Sequence, residues 1–538
     1  MHYSIKRNES HQFFLTIQLT FEADTSEAIL KLPLWRPGRY QAQNFAKNIR
    51  EISSSKGQLK VNGRNQWKLT GIDKGDQVAI TYNYYARHQD AGGTWLSEQF
   101  CLINFIGCAL VPVSKLKDKI TVAVDFDSSY EIATSAKLEK GQFVFEDFED
   151  LTESPILLGK QLHHGSFEYD NSTHHIWLQG DVKPDWKKII KDFKAYTKVQ
   201  FDIFKFFPHK EFHYLCVLPI FKHYHGVEHH KNTVITLGPS SEFHNEDFYN
   251  NLLGVSSHEL FHVWNIKQIR PAELLPYNLF QETYFDTGYV AEGMTTYYGD
   301  ACLYRAGVFS EKQYKKELNT LLDRHFENQG RFVKSVTDSS LELWVDGYEK
   351  GIPSRKTSIY VKGALIALML DSEIQRITNK AKSLDDVMSI FYQEYGLNQK
   401  GYTSDDFQTI VNKVSGSDFS TFFNDFVYGI EPLEDKLKES LMFLGWKVEK
   451  TNSESRWMSD FGIKLSNSGE VIDVAYNNSD DIQVGDVFKY CDQQKVTSWE
   501  NVLGDKEKID IFLERDGQIV AKQFLAKKKM YYSKLSVT

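Results

Sequence analysis

His258, Glu259 and His262 stand in the run Ser256-Ser257-His258-Glu259-Leu260-Phe261-His262-Val263-Trp264-Asn265. Four positions apart on a helix, the two imidazoles share a face and can hold one Zn²⁺, while the glutamate lies about 100° around the helix beside a water that the metal would activate. Zinc lowers the pKa of such a water toward neutrality, and the adjacent carboxylate can take its proton and pass it to a leaving amine. A core helix with two hydrogen-bonded histidines is the plain alternative. Around the motif, largely apolar and proline-free Phe248 to Val255 and then Leu260, Phe261, Val263 and Trp264 carry a buried-helix pattern, which Pro271 is expected to limit.

A catalytic zinc needs a third protein ligand, and Glu292 in Gly288-Tyr289-Val290-Ala291-Glu292-Gly293-Met294 is the candidate, since an unpaired carboxylate in that apolar setting would be costly. It is expected to open a helix, so the competing role is a first-turn acid held by the helix dipole. His223, His225, His229 and His230 crowd one segment, but their irregular spacing fits rim or solvated histidines better than a second metal site.

These side chains need a scaffold. Residues 1 to about 160 alternate short apolar runs (Phe13 to Leu19, Val78 to Tyr85, Ile120 to Phe126) with Gly, Asn, Asp and Ser clusters, the pattern of an all-β domain. The period turns helical at Trp186 to Phe206, and Phe212 to Leu218 reads as a strand ahead of the motif helix. Amphipathic segments follow at Ala301 to Gly307, Glu311 to Phe326, Thr357 to Ile377, Leu384 to Tyr395 and Ser404 to Val427. From about 445 short strands return (Gly462 to Leu465, Val471 to Ala475, Asp486 to Tyr490, Ile509 to Leu513), and Lys527-Lys528-Lys529 reads as a solvated end.

With 538 residues, the chain exceeds one core and calls for several domains, and 41% hydrophobic residues suffice to fill them. A formal net charge of −9, without a long basic run, speaks against nucleic acid. Cys101, Cys108, Cys216, Cys302 and Cys491 contain no CxxC pair, so neither a disulfide framework nor a thiolate zinc site is expected. Met1 to Phe21 lacks the apolar core of a signal peptide, and no run reaches membrane length. The expected location is cytoplasmic, with no membrane partner, although a removed leader would leave no trace in the sequence.

The chain resembles the glycyl aminopeptidase family of zinc metallopeptidases. Five motifs carry the resemblance: Trp35-Arg36-Pro37-Gly38-Arg39-Tyr40, Gly226-Val227-Glu228-His229, His258 to Pro271, Glu292-Gly293 and Tyr360-Val361-Lys362-Gly363. It implies a multidomain α+β protein: an N-terminal all-β domain (1–160), a thermolysin-like catalytic domain (161–300), a helical domain (301–436) and a C-terminal PDZ-like β-rich module (445–530). It further implies one zinc on His258, His262 and Glu292, Glu259 as general base, and Tyr360 as oxyanion donor. Gly226 and Glu228 would bind the substrate, Glu228 through its free α-ammonium. Phe461-Gly462-Ile463 would be a loop receiving a peptide C-terminus. The expected activity is release of small first residues, glycine or alanine, from peptides with a free N-terminus. An endopeptidase and a non-catalytic peptide-binding scaffold are the alternatives. Thr296 occupies the position where thermolysin-type enzymes often carry an acid behind one histidine, so that imidazole needs another partner, with Asp300 and Asn265 as candidates. Val227 and His229 replace the methionine and asparagine of the larger relatives.

Overall fold

The computed structural model describes residues 1–538 except 11, 349–350, 493, 497, 500–501 and 528–530. Period-two alternation builds the N-terminal part: Leu15, Ile17, Leu19 and Phe21 are buried along Phe14–Glu22, while Gln18 and Glu22 are exposed. That strand lies between His2–Arg7 and Gln77–Tyr85 in a seven-stranded sheet, and two four-stranded sheets complete the region.

The next sheet positions the chemistry. Its strands are β1 (Leu162–Tyr169), β2 (Ser172–Gln179), β3 (Glu211–Val217), β4 (His223–Glu228) and β5 (Asn232–Gly238), in the order β1-β2-β3-β5-β4. Helix α1 (Trp186–Phe204), capped by Asp185, makes the crossover that lets β2 and β3 run parallel. Antiparallel β4 ends up on the sheet edge with one side of its backbone unpaired by the sheet.

After β5, helix α2 (Glu246–Phe261) carries His258 and Glu259 and stops with His262 as its C-cap residue. It therefore ends well before Pro271, because the chain turns back through Ile266 at φ +93°. Glu292 does not open an α-helix either. It lies inside a π-helical turn, Tyr289–Met294, that runs on into α3 (Thr295–Arg305).

Helix α4 (Glu311–Glu327) starts at a Ser310–Gln313 capping box, and α5 (Ile359–Ile377) starts at Ser358. The stretch expected to be helical from Ser404 to Val427 is interrupted: a helix covers Ser404–Ser415 and ends at Gly416 with φ +69°. The terminal module has its own core around Trp457, Phe461, Phe488, Trp499 and Ile511, and its main sheet pairs Val487–Cys491, Lys508–Arg515 and Gln518–Leu525. Lys527 pairs with Asp480 at 2.9 Å, while Lys528 and Lys529 lie outside the described residues. The chain end itself returns as a strand, Lys534–Val537, hydrogen-bonded to Asn319 of α4. Among the described residues, no helix is long and apolar enough to cross a membrane.

Candidate active site

The end of α2 and the π turn meet because the residues between them are clamped. The Asn265 amide donates to the carbonyl of Val290 at 2.7 Å and to the Thr295 hydroxyl at 3.0 Å. Gly293 lies so close to α5 that a Cβ there would be 2.5 Å from the Gly363 α-carbon, so two glycines allow the backbones of the π turn and α5 to touch. This contact brings the start of α5, with Tyr360, beside Glu292.

His258 Nε2 and His262 Nε2 are 3.1 Å apart, and Glu292 Oε2 is 3.9 Å and 3.4 Å from them. Three ligands of a tetrahedral ion at about 2.0–2.1 Å stand roughly 3.4 Å from one another, so this donor set has the right size and chemistry for zinc. Charge leads to the same fit. Glu228, Glu259 and Glu292 are all at least 95% buried, and Oε1 of Glu228, Oε2 of Glu259 and Oε1 of Glu292 have no hydrogen-bond partner. Burial raises Glu259 above the usual carboxylate range, with Glu228 and Glu292 adding to the rise and His262 opposing it. Burial likewise drives His258 well below the usual imidazole value, whereas Glu292 holds His262 up at about 9 against the same burial.

The partner behind His262 is Asn265, through its main chain. His262 Nδ1 donates to that carbonyl at 3.0 Å, which fixes the tautomer and frees Nε2 for a metal. Thr296 plays no such part, since its hydroxyl donates to the Glu292 carbonyl, and Asp300 lines the cavity instead.

Glu228 ends the edge strand β4 and faces the same cavity of about 660 Å³. Gly226 lies against the general-base candidate: a Cβ there would be 2.1 Å from Glu259 Oε1. One position after Glu228, His229 turns away toward Glu153, 3.8 Å distant, and burial lowers it to about 4. His223, His225, His229 and His230 form no group of three metal donors among the described residues.

The N-terminal domain supplies the opposite wall. At Gly38 (φ +76°) a Cβ would stand 2.3 Å from Glu228 Oε2, which explains a glycine in that motif on two grounds, conformation and space. Trp35 anchors the loop by donating to the Asn278 carbonyl, and Arg36 reaches His225 at 3.2 Å. Arg39 stacks over Tyr348, 5.1 Å from the ring centroid, and the Tyr348 hydroxyl is 3.3 Å from that of Tyr360. Burial, then Glu292, raises Tyr360 well above the usual phenol value, so its O–H is kept as a donor. Reasoning from the sequence missed Tyr348 and the wall formed by Gly38, and Trp35 to Tyr40 was the only signal for the latter.

The loop Phe461-Gly462-Ile463 lies in the terminal module, away from this cavity. Its Gly462 N–H donates to the Met458 carbonyl, its Gly462 carbonyl accepts from Ala475, and both phenylalanine and isoleucine are buried in the module's core.

The family model of the M61 glycyl aminopeptidases matches residues 251–366, and the model of the M61 peptidase N-terminal domain matches residues 2–160. The chain belongs to the M61 glycyl aminopeptidase family. It is a metallo-aminopeptidase by that membership, and the matched regions hold the His258, His262 and Glu292 donor atoms and the Gly38 wall of the cavity. A crystal structure of an aminopeptidase N family protein from Idiomarina loihiensis is similar to this M61 chain with a TM-score of 0.90 at 25% identity, covering 100% of this chain and 98% of that one. An M1 zinc metallopeptidase from Deinococcus radiodurans is similar with a TM-score of 0.48 at 13% identity, over 80% of this chain and 93% of that one. No curated protein sequence matches significantly.

Proposed function

We propose that this M61 protein is a zinc-dependent aminopeptidase that hydrolyses the first peptide bond of peptides with a free N-terminus. The observation that carries the reading is the buried Glu228 carboxylate, with one oxygen unpartnered, in the cavity that also holds the His258, His262 and Glu292 donor atoms. A buried carboxylate is a strong partner for an ammonium and a poor one for an amide, so it favours a chain end over a chain interior.

One zinc bound by His258, His262 and Glu292 would polarise the scissile carbonyl and make water acidic enough to be deprotonated near neutrality. Glu259, raised by burial, takes that proton at its unpartnered Oε2 and delivers it to the leaving nitrogen. Tyr360 donates its O–H to the carbonyl oxygen as negative charge develops there. Tyr348, beside it, can donate in turn to the Tyr360 oxygen. Glu228 sets the register, so that the bond brought to Glu259 is the first one. The family's description supports glycine as the first residue, and the close wall of Gly38 against Glu228 leaves room for a small one such as glycine or alanine. Five buried, unpaired cysteines support a reducing location.

The test compares release of glycine and alanine from free and N-acetylated peptides, with and without a chelator. Free peptides should be cleaved, acetylated ones spared, and the chelator should abolish turnover reversibly by zinc. Equal cleavage of acetylated peptides would establish an endopeptidase instead, and zinc binding without any turnover would establish a scaffold.

A further inference from the structure

The cavity does not end at the metal donors. It continues past Gly254, one helical turn before His258, into a lobe whose walls include Tyr224, Asp300, Glu317 and Leu321. Gly254 lies between the two walls of this lobe, since a Cβ there would stand 3.7 Å from Asp300 Oδ1 and 4.0 Å from the Tyr224 hydroxyl.

Strand polarity says which part of a substrate reaches this lobe. Strand β4 runs along the sheet edge from His223 to Glu228. A peptide whose ammonium is held at Glu228 must extend back along that edge toward Tyr224, antiparallel to it, adding a strand to the sheet. Its first residue then lies at the Glu228 and Gly38 end, and the residue after the scissile bond faces Gly254 and the lobe.

The lobe is charged but unpaired. Asp300 and Glu317 carry no ion pair or hydrogen bond among the described residues. Nearby Lys316 is taken up by Asp247 at 2.7 Å. Arg324, exposed at the rim, forms no ion pair with either acid, so two carboxylates stand against one guanidinium. Leu321 and Val255 offer apolar surface on the way in, the combination that suits a long aliphatic stem with a cationic head.

We infer that this lobe is the subsite for the residue following the scissile bond, and that Asp300 and Glu317 select a lysine or arginine side chain there. The inference rests on the aminopeptidase reading above and adds to it a substrate class: peptides with a small first residue and a basic second one.

The test measures kcat/KM of the zinc-loaded full chain on glycyl-lysine amide, glycyl-norleucine amide and glycyl-glutamate amide, with blocked C-termini so that only the second side chain varies. Binding of the same three amides to full-length Glu259→Gln is followed by calorimetry. Lysine should exceed norleucine by about tenfold in both measurements, with glutamate last. The lysine-to-norleucine ratio should collapse toward one in Asp300→Asn and in Glu317→Gln, and the latter, on the surface of α4, keeps the test decisive if the former fails to fold. Cleavage of the norleucine amide with no lysine preference, or a preference untouched by both substitutions, overturns this inference alone. Failure of the folded, metal-loaded chain to cleave any free amide overturns the aminopeptidase reading, and this inference with it.

Discussion

Two kinds of buried carboxylate lie near the end of strand β4, and they have opposite electrostatics. Just past the strand, Glu153 is 4% exposed, pairs with buried Lys267 at 3.0 Å and accepts the His230 backbone N–H at 2.9 Å. Burial pushes Glu153 up, but Lys267, His230 and His229 outweigh it and hold the carboxyl down at about 2. In the cavity, Glu228, Glu259 and Glu292 each keep an oxygen without a partner, and Glu259 and Glu292 are raised by their burial. Equal burial therefore gives a paired bracket in one place and unpaired carboxylates in the other. What differs is whether the protein itself supplies the countercharge or leaves it out, the place that the proposed function gives to a metal and a substrate.

The largest effect that tests this contrast is on catalysis. Glu259→Gln should lower kcat by on the order of a thousandfold while the thermal midpoint stays at or above that of the parent, because a carboxyl held against burial is removed. A variant that melted several degrees lower would place Glu259 in the bracket class. Glu153→Gln should do the reverse, costing about 3–5 kcal/mol in denaturant unfolding by leaving Lys267 charged and unpaired in the interior. If it unfolds like the parent, the bracket is not structural.

Acid titration sharpens the same point. Glu153 has a depressed folded-state value, so its stabilisation is complete above the ordinary carboxylate pKa and is lost as pH falls from about 4.5 toward about 2. Across that window the parent should lose about 3 kcal/mol more than Glu153→Gln does. Tyr360→Phe removes the proposed oxyanion donor and should cost roughly a hundredfold in kcat, with little change in KM or melting. Tyr348→Phe, one hydrogen bond further out, should cost only about fivefold.

Much of this site could be read along the chain because its signals are local. His258, Glu259 and His262 are spaced by one helical turn, and Glu292 stands out as a charge in an apolar run. The helices Trp186–Phe204, Glu311–Glu327 and Ile359–Ile377 follow their amphipathic periods closely. What stayed hidden depends on closure of the fold. Nothing near Glu292 signals a π turn, which packs against Gly363 on a distant helix. The carbonyl that orients His262 belongs to a residue whose side chain looked the more promising part, and Tyr348 gains meaning only from the 3.3 Å approach of Tyr360. Lys267 and Glu153 give no warning at all, being 114 positions apart.

The loop from Trp35 to Tyr40 has a consequence for what a shortened chain could do. Arg36 and His225, which touch, are separated by 189 positions, so the wall that confines Glu228 is synthesised long before the strand it confines. A product lacking the first domain would still carry His258, His262, Glu292 and Glu228, but it would have lost the wall that closes over Glu228 and, with Glu153, the partner of buried Lys267. Removing everything ahead of β1 would thus open the carboxylate proposed to hold a peptide's end to solvent and strand a lysine charge in the interior, so a shortened chain should lose its fold before it loses its selectivity.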